Sequence, residues 1–161
     1  AVFRDYIFFP AVVGLFLGWP MFFAILGGNF VANLIRNLWA NIIIFCGHFT
    51  EEVHTFNEEE CVNESRGQWY YRQILGSSNI EGSKVMHIMS GHLSRQIEHH
   101  LFPDMCSNRY PEVAPRVKAL ADRYGLPYNS APLWRQFGTT WLKNLRLAFP
   151  GGTLPPEPAR A

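Results

Sequence analysis

The histidines of this sequence are the residues best suited to metal chemistry, and four of the six lie between positions 87 and 100. His99 and His100 are adjacent, and Gln96 precedes them by about one helical turn. If the segment is a helix, with about 100° between successive residues, His92, Gln96, His99 and His100 share one broad face and His87 points away from it. Imidazoles that converge from one face suit iron, zinc, copper or nickel. A His-His pair alone is more often incidental than metal-binding, so its surroundings decide the interpretation.

His48 is a further candidate, because it ends an apolar segment that carries asparagines along one side. In a helical projection Asn37 and Asn41 fall within about 20° of His48, so the three residues form one stripe. Polar groups inside a membrane helix usually face protein or a water-filled site. His54 has no partner ligand three or four residues away, and we expect it to be solvent-exposed.

Two apolar segments precede His48 and predict a membrane hairpin. Residues 7–28 contain no charged side chain, and residues 29–47 are apolar apart from Arg36 and a row of asparagines. Each segment is long enough to cross the hydrocarbon core of a bilayer. The Gly-Gly-Asn sequence at residues 27–29 is the only break between them, so the turn is expected there. A signal peptide is excluded because the first run is too long and a second one follows.

The remainder of the chain shows the spacing of helices joined by polar segments. An acidic stretch over residues 51–64 is typical of a solvated loop. A short helix is predicted over residues 67–75, with Gly76 as its stop. Ser83 predicts the start of a longer helix that runs to about residue 100 and ends before Pro103.

Two more helices are predicted towards the C-terminus. The first ends at Gly125 and has apolar residues at helical spacing, namely Val113, Val117, Leu120 and Tyr124. The second covers residues 133–149 and is amphipathic, with one face formed by Trp134, Phe137, Trp141 and Leu145. We expect that face to pack in the core, and contact with the membrane interface is the alternative.

Together these patterns predict an all-α membrane protein. It comprises a transmembrane helical hairpin over residues 1–48, a helical region with the histidine cluster over residues 49–149, and a disordered tail rich in Pro and Gly over residues 150–161. All of the 14 Lys and Arg residues except Arg4 and Arg36 follow His48, so the positive-inside rule places the helical region in the cytoplasm. The expected protein is thus a multi-pass integral membrane protein.

Charge and cysteine usage exclude other classes. A net charge of +1 gives no case for nucleic acid as a partner. The three cysteines, Cys46, Cys61 and Cys106, are odd in number and lack zinc-type spacing, so reduced thiols are expected.

The segment around the histidine pair resembles a known family. Residues 91–103, GHLSRQIEHHLFP, closely resemble the third histidine box, QxxHH, of membrane fatty acyl desaturases. Residues 107–110 and 124–128 also resemble that family, particularly its bacterial acyl and front-end members. Residues 46–49, CGHF, resemble its isolated histidine after the last span. The resemblance extends to about Leu147 and covers nearly the whole chain.

This resemblance implies a centre of two iron ions that activates O₂ and removes two hydrogens from the acyl chain of an acyl-CoA or acyl-lipid. The family's metal ligands carry over to His48, His99 and His100, with Gln96 in place of the first histidine of the related HxxHH form. His92 and Asn41 are further candidates. No haem or flavin motif is present, so electrons are expected from a separate donor: a ferredoxin, a cytochrome b5-like protein or a reductase.

Several features depart from the family pattern. Its first two boxes, HxxxH and HxxHH, are missing, so we expect this chain to be the C-terminal part of a longer enzyme and to be inactive alone. Ile44 stands where related acyl-CoA desaturases have an Asn that reaches iron through water, and Asn41 and Asn37 inherit that role only weakly. Glu98 could orient a ligand or lie exposed. The alternatives are a membrane di-iron hydroxylase or ketolase, and a non-catalytic lipid-binding remnant of the fold.

Overall fold

The computed structural model describes residues 2–149, and this part of the chain is mostly helical, as predicted. The tail predicted over residues 150–161 lies outside the described residues. The described α-helices and β-strands, after a π-helical turn at Arg4–Phe8, are α1 (Phe9–Leu17), α2 (Trp19–His48), α3 (Arg66–Leu75), β1 (Asn79–Glu81), α4 (Lys84–Met89), α5 (Gln96–Leu101), α6 (Tyr110–Arg123), β2 (Ser130–Pro132) and α7 (Leu133–Ala148). The chain divides into two compact units, one ending at Asn41 and the other beginning at Ile42.

In the N-terminal unit, the turn predicted at residues 27–29 is wrong, because α2 continues as an α-helix through them. A glycine inside a helix costs only about 1 kcal/mol, so two of them do not end a long apolar helix. The helical break lies instead at Gly18, where φ is +85°. Glycine adopts this conformation readily because it lacks a Cβ.

Polar contacts show that the chain reverses direction at Gly18. The side chain of Asn29 donates a hydrogen bond to the backbone carbonyl of Asp5. Asn33 donates to the Tyr6 hydroxyl, 3.0 Å away. The asparagine row of α2 therefore satisfies polar groups of the preceding helical segment.

Among the described helices, only α2 is long and apolar enough to cross a membrane. It has 30 residues, and its most apolar 18-residue stretch has a mean hydropathy of 1.4. Its length is about 45 Å at 1.5 Å per residue. The first predicted span is not one continuous helix, because Gly18 interrupts it. Helix α1, with nine residues, is only about 14 Å long.

The C-terminal unit is organised around α5. Ile97 and Leu101 of α5 form a buried cluster with Ile74 of α3 and Val117 of α6. Helices α3 and α6 lie close to their predicted ranges. A small parallel sheet, which pairs β1 with β2 in the register Ile80 to Ala131, was not predicted.

The single helix predicted from Ser83 to about residue 100 is wrong, because the chain turns between α4 and α5. Gly91 and His92 both have φ near +60°, which a right-handed helix does not allow. The Ser94 hydroxyl holds the turn, lying 2.7 Å from His87 Nδ1 and accepting from the Ser90 hydroxyl at 3.2 Å.

Helix α7 matches its predicted range, but the expected core role of its apolar stripe is wrong. Trp134 and Trp141 are 75% and 53% exposed. The residues of α7 that are buried are instead Gln136, Thr140 and Lys143.

Candidate metal centre

The candidate ligands are carried by the last turn of α2 and by α5, both within the C-terminal unit. A Cβ atom added at Gly47 would lie only 3.1 Å from Cγ of Gln96, so glycine permits the close approach of the two elements. Ser78 fixes the end of α2, because its amide donates to the Gly47 carbonyl at 2.9 Å and its hydroxyl to the Cys46 carbonyl at 2.7 Å. These bonds satisfy carbonyls that a helix end leaves free.

Two imidazoles meet at the side chain of Gln96. The amide nitrogen of Gln96 lies 3.0 Å from His48 Nε2 and 3.3 Å from His100 Nε2. An amide N–H group can only donate, so both Nε2 atoms accept and direct their lone pairs towards one point. The two rings are 5.0 Å apart between centroids.

The outer nitrogens of the histidine pair are also held. His100 Nδ1 lies 3.2 Å from the side-chain oxygen of Gln73 and donates to it. His99 Nδ1 lies 3.1 Å from the hydroxyl of the buried Tyr110. Burial lowers the pKa of His100 to about 4, and the neighbouring His48 and His99 contribute. His100 is therefore a neutral imidazole at pH 7, which is the form that binds metals.

Glu98, the residue before His99, is completely buried, and its carboxyl group bonds Asn79 and Tyr128. Its carboxyl group accepts from the Tyr128 hydroxyl at 2.6 Å and from the Asn79 amide at 2.9 Å. The Asn79 side-chain oxygen also accepts from the Ile97 amide at 3.0 Å. This buried cluster of Glu98, Asn79 and Tyr128 anchors α5 to β1 and to the segment before β2.

The structure brings together His48, Gln96 and His100 of the predicted ligands, with the His99 ring 5.7 Å from the His100 ring between centroids. His92 lies in the turn before α5, where its amide donates to the His87 carbonyl. Asn41 is an exposed residue of α2 in the other unit.

Two histidines without a predicted ligand role also have defined places. His87 is buried and bonds Ser94, as a packing histidine does. His54 is not exposed as predicted but partly buried, with its ring 4.5 Å from the ring of Phe56.

Gln73 and Tyr110 were not predicted from the sequence, although both contact the histidine pair. Neither residue type is a typical metal ligand, and each is more than ten positions from its histidine. Their role depends on how α3 and α6 pack around α5.

The donor set fits part of a metal site. Metal-binding histidines usually donate their second ring nitrogen to a carbonyl or carboxyl group, as His100 does to Gln73. Within residues 2–149, however, no group of three or more His, Cys, Asp and Glu residues is placed to hold a metal ion. The described residues thus supply two converging imidazoles and an amide, which leaves room for further ligands.

These features define a helical chain with a histidine-rich site at the end of a candidate membrane helix, and known proteins share its sequence. The fatty acid desaturase family model matches residues 1–132. The chain belongs to the fatty acid desaturase family.

Individual relatives agree with this assignment. The chain is 45% identical over 149 residues to the NADPH-dependent stearoyl-CoA 9-desaturase of Mycobacterium tuberculosis, covering 92% of this chain and 35% of that protein. It is 42% identical over 76 residues to a fatty acid desaturase 2-like protein of Mus musculus, covering 47% of this chain and 16% of that protein. No solved structure matches. The chain spans about a third or less of the length of these relatives.

Proposed function

We propose that this chain is the C-terminal part of an O₂-dependent fatty acyl desaturase that introduces a double bond into the acyl chain of an acyl-CoA or acyl-lipid. The observation that carries the proposal is the convergence of His48 Nε2 and His100 Nε2 on Gln96, within a chain of this family. The balanced reaction converts CH₂–CH₂, O₂, two electrons and two protons into CH=CH and two waters. The electrons come from a separate donor protein.

The proposed metal is a pair of iron ions, held in part by His48, Gln96, His99 and His100. Iron, when bound, supplies the activation of O₂. The chain's own residues keep the ligands neutral and oriented: burial keeps His100 unprotonated, and Gln73 fixes which of its nitrogens carries the lone pair. Further ligands would come from parts of the protein outside this chain.

We also place this protein in the membrane, with α2 as one span of a multi-pass protein and the histidine cluster on the cytoplasmic side. The length and hydropathy of α2 support the span. The excess of Lys and Arg after His48 supports the orientation.

Product analysis tests the reaction. The intact protein is supplied with saturated acyl substrates, O₂ and an electron donor, and the products are identified by mass spectrometry. We expect a product two mass units lighter than the substrate. Recovery of hydroxylated acyl chains alone would assign a hydroxylase instead.

Metal analysis tests the ligands. His48→Ala and His100→Ala in the intact protein should each lower the bound iron per molecule, measured by elemental analysis, because each removes one Nε2 donor. His54→Ala is the matched control, since His54 lies outside the cluster and should leave the iron content unchanged. An iron-free wild-type protein would favour the non-catalytic remnant, and full iron content in both ligand variants would refute the assignment.

A further inference from the structure

Helix α7 has its apolar side facing outward. Leu147, 46% exposed, lies on another side of α7. Six large apolar side chains on one side of the helix and at its C-cap are 40–75% exposed: Trp134, Phe137, Trp141, Leu142, Leu145 and Phe149. On a helical projection these six occupy an arc of about 140°, which is a typical width for the apolar stripe of an amphipathic helix. A contiguous exposed patch of this kind marks a contact with a membrane or a partner.

The inward side of α7 is polar and specifically bonded. Lys143 is buried and donates to the backbone carbonyls of Thr50 at 3.1 Å and Val53 at 2.9 Å. Gln136 is buried and donates to the Asn79 carbonyl at 2.9 Å. A rotation of α7 that buried its tryptophans would leave these groups without partners, which fixes the apolar side outward.

These contacts tether α7 close to the end of the candidate membrane helix. Thr50 and Val53 follow His48, the last residue of α2, by two and five residues. Even a fully extended chain limits their distances from His48 to about 7 and 18 Å. The polar headgroup zone on each side of a bilayer is about 5–8 Å thick. If α2 crosses the membrane, the part of α7 near Lys143 is thus held within a short distance of the end of that span.

Two exposed ion pairs join α7 to the same loop. Arg135 pairs with Glu52 at 3.2 Å, and Arg146 pairs with Glu51 at 2.6 Å. Both arginines lie at one edge of the apolar arc in the helical projection. Basic side chains at the edge of an apolar face that carries tryptophan are typical of helices that lie in the membrane interface.

We propose that the outer face of α7 inserts into the boundary between lipid headgroups and acyl chains, on the side of the membrane where α2 ends. The occupant of this face is lipid. Trp134 and Trp141 place their rings at headgroup depth, while Lys143 on the opposite side holds the loop after His48. The proposal rests on α2 being a membrane span and is independent of the reaction catalysed.

Site-directed spin labelling of the intact protein in nanodiscs of phosphatidylcholine and phosphatidylglycerol tests the proposal. Labels are attached to Trp141→Cys and to Leu145→Cys in a background with Cys61→Ser and Cys106→Ser. Collision rates are measured with O₂, which concentrates in the bilayer, and with a water-soluble nickel chelate. Lys118→Cys, on the exposed surface of α6, is the aqueous reference.

We expect the ratio of O₂ to nickel collision rates to be several-fold higher at positions 141 and 145 than at position 118. A nickel rate equal to that of the reference would show an aqueous face and overturn the proposal. Low rates with both reagents would show that protein covers the face and would also overturn it. If Trp141→Cys fails to fold, Leu145→Cys and Trp134→Cys give the same readout.

Discussion

Replacing Tyr128 by phenylalanine should destabilise the C-terminal unit through the buried cluster that anchors α5. The change removes the hydroxyl that donates to Glu98 at 2.6 Å and leaves the ring in place. The same hydroxyl accepts from the side-chain amide of Asn79 at 2.7 Å, and leaving a buried polar group without its partner costs about 1–3 kcal/mol. Because Glu98 is 0% exposed, water does not replace the lost donor. Asn79 still donates to the other carboxyl oxygen, so we expect a loss of about 2–3 kcal/mol.

For a chain of this size, that loss lowers the melting temperature by about 4–12 °C. The assay is thermal unfolding of the detergent-solubilised protein followed by intrinsic fluorescence. Tyr124→Phe is the matched control, because Tyr124 is 62% exposed and has no hydroxyl hydrogen bond among the described contacts. If the two variants have the same melting temperature, the buried cluster of Glu98, Asn79 and Tyr128 does not stabilise this unit.

The same substitution should also change how the stability of the protein depends on pH in the alkaline range. Burial raises the pKa of Tyr128, and its hydrogen bond to Glu98 adds to this effect. Tyrosine in an unfolded chain ionises near pH 10. The stability that neutral Tyr128 contributes is therefore fully present below pH 10 and is lost as the pH rises from there towards the pKa of Tyr128 in the folded protein. Tyr128→Phe should therefore show a smaller loss of stability above pH 10 than the wild type. An equal loss in both proteins would contradict the buried environment assigned to Tyr128.

Three further variants test other contacts. Gln73→Leu should weaken iron binding by about 10–100-fold, as loss of a group that orients a ligand does. Gln73→Glu is the control, because it retains an acceptor oxygen and should retain much of the iron affinity. Equal iron affinities of the two variants in a metal titration would contradict this role of Gln73. Gly47→Ala should have a lower melting temperature than Gly67→Ala. Both changes raise helix propensity, but only the Cβ at position 47 would contact a buried side chain, that of Gln96. Equal melting temperatures would show that Gln96 moves aside at little cost. Lys143→Met should lower the free energy of unfolding by about 2 kcal/mol and the melting temperature by about 4–8 °C. Lys118→Met, at an exposed position, is the control and should change little. A Lys143→Met protein as stable as this control would show that the hydrogen bonds of Lys143 to Thr50 and Val53 do not stabilise the protein.

Local signals predicted much of the secondary structure. Helix α3 begins after Ser65, whose hydroxyl accepts from the Gln68 amide while the Gln68 side chain returns a bond to the Ser65 amide. Such caps, and the stop at Gly76, depend on residues within one turn, so their sequence pattern is informative. The histidine pair was equally visible, because QxxHH is a local motif.

The predictions from sequence were wrong where tertiary contacts determine the structure. The turn was assigned to Gly27 and Gly28 because paired glycines usually mark turns, yet the chain bends at the single Gly18. The outward face of α7 could not be read from its amphipathic pattern. The pattern shows that two faces differ, and only the buried partners of Gln136 and Lys143 show which one faces the protein.

The separation of Lys143 from its partners also sets an order of assembly during synthesis. Thr50 precedes Lys143 by 93 residues, an interval of about 5–20 s at ordinary rates of translation. Helix α2 and His48 are therefore complete well before the residue that secures the loop behind them is made. Until α7 emerges, the loop after the candidate membrane helix lacks the hydrogen bonds that Lys143 donates to it. In a chain truncated before Lys143, those bonds never form.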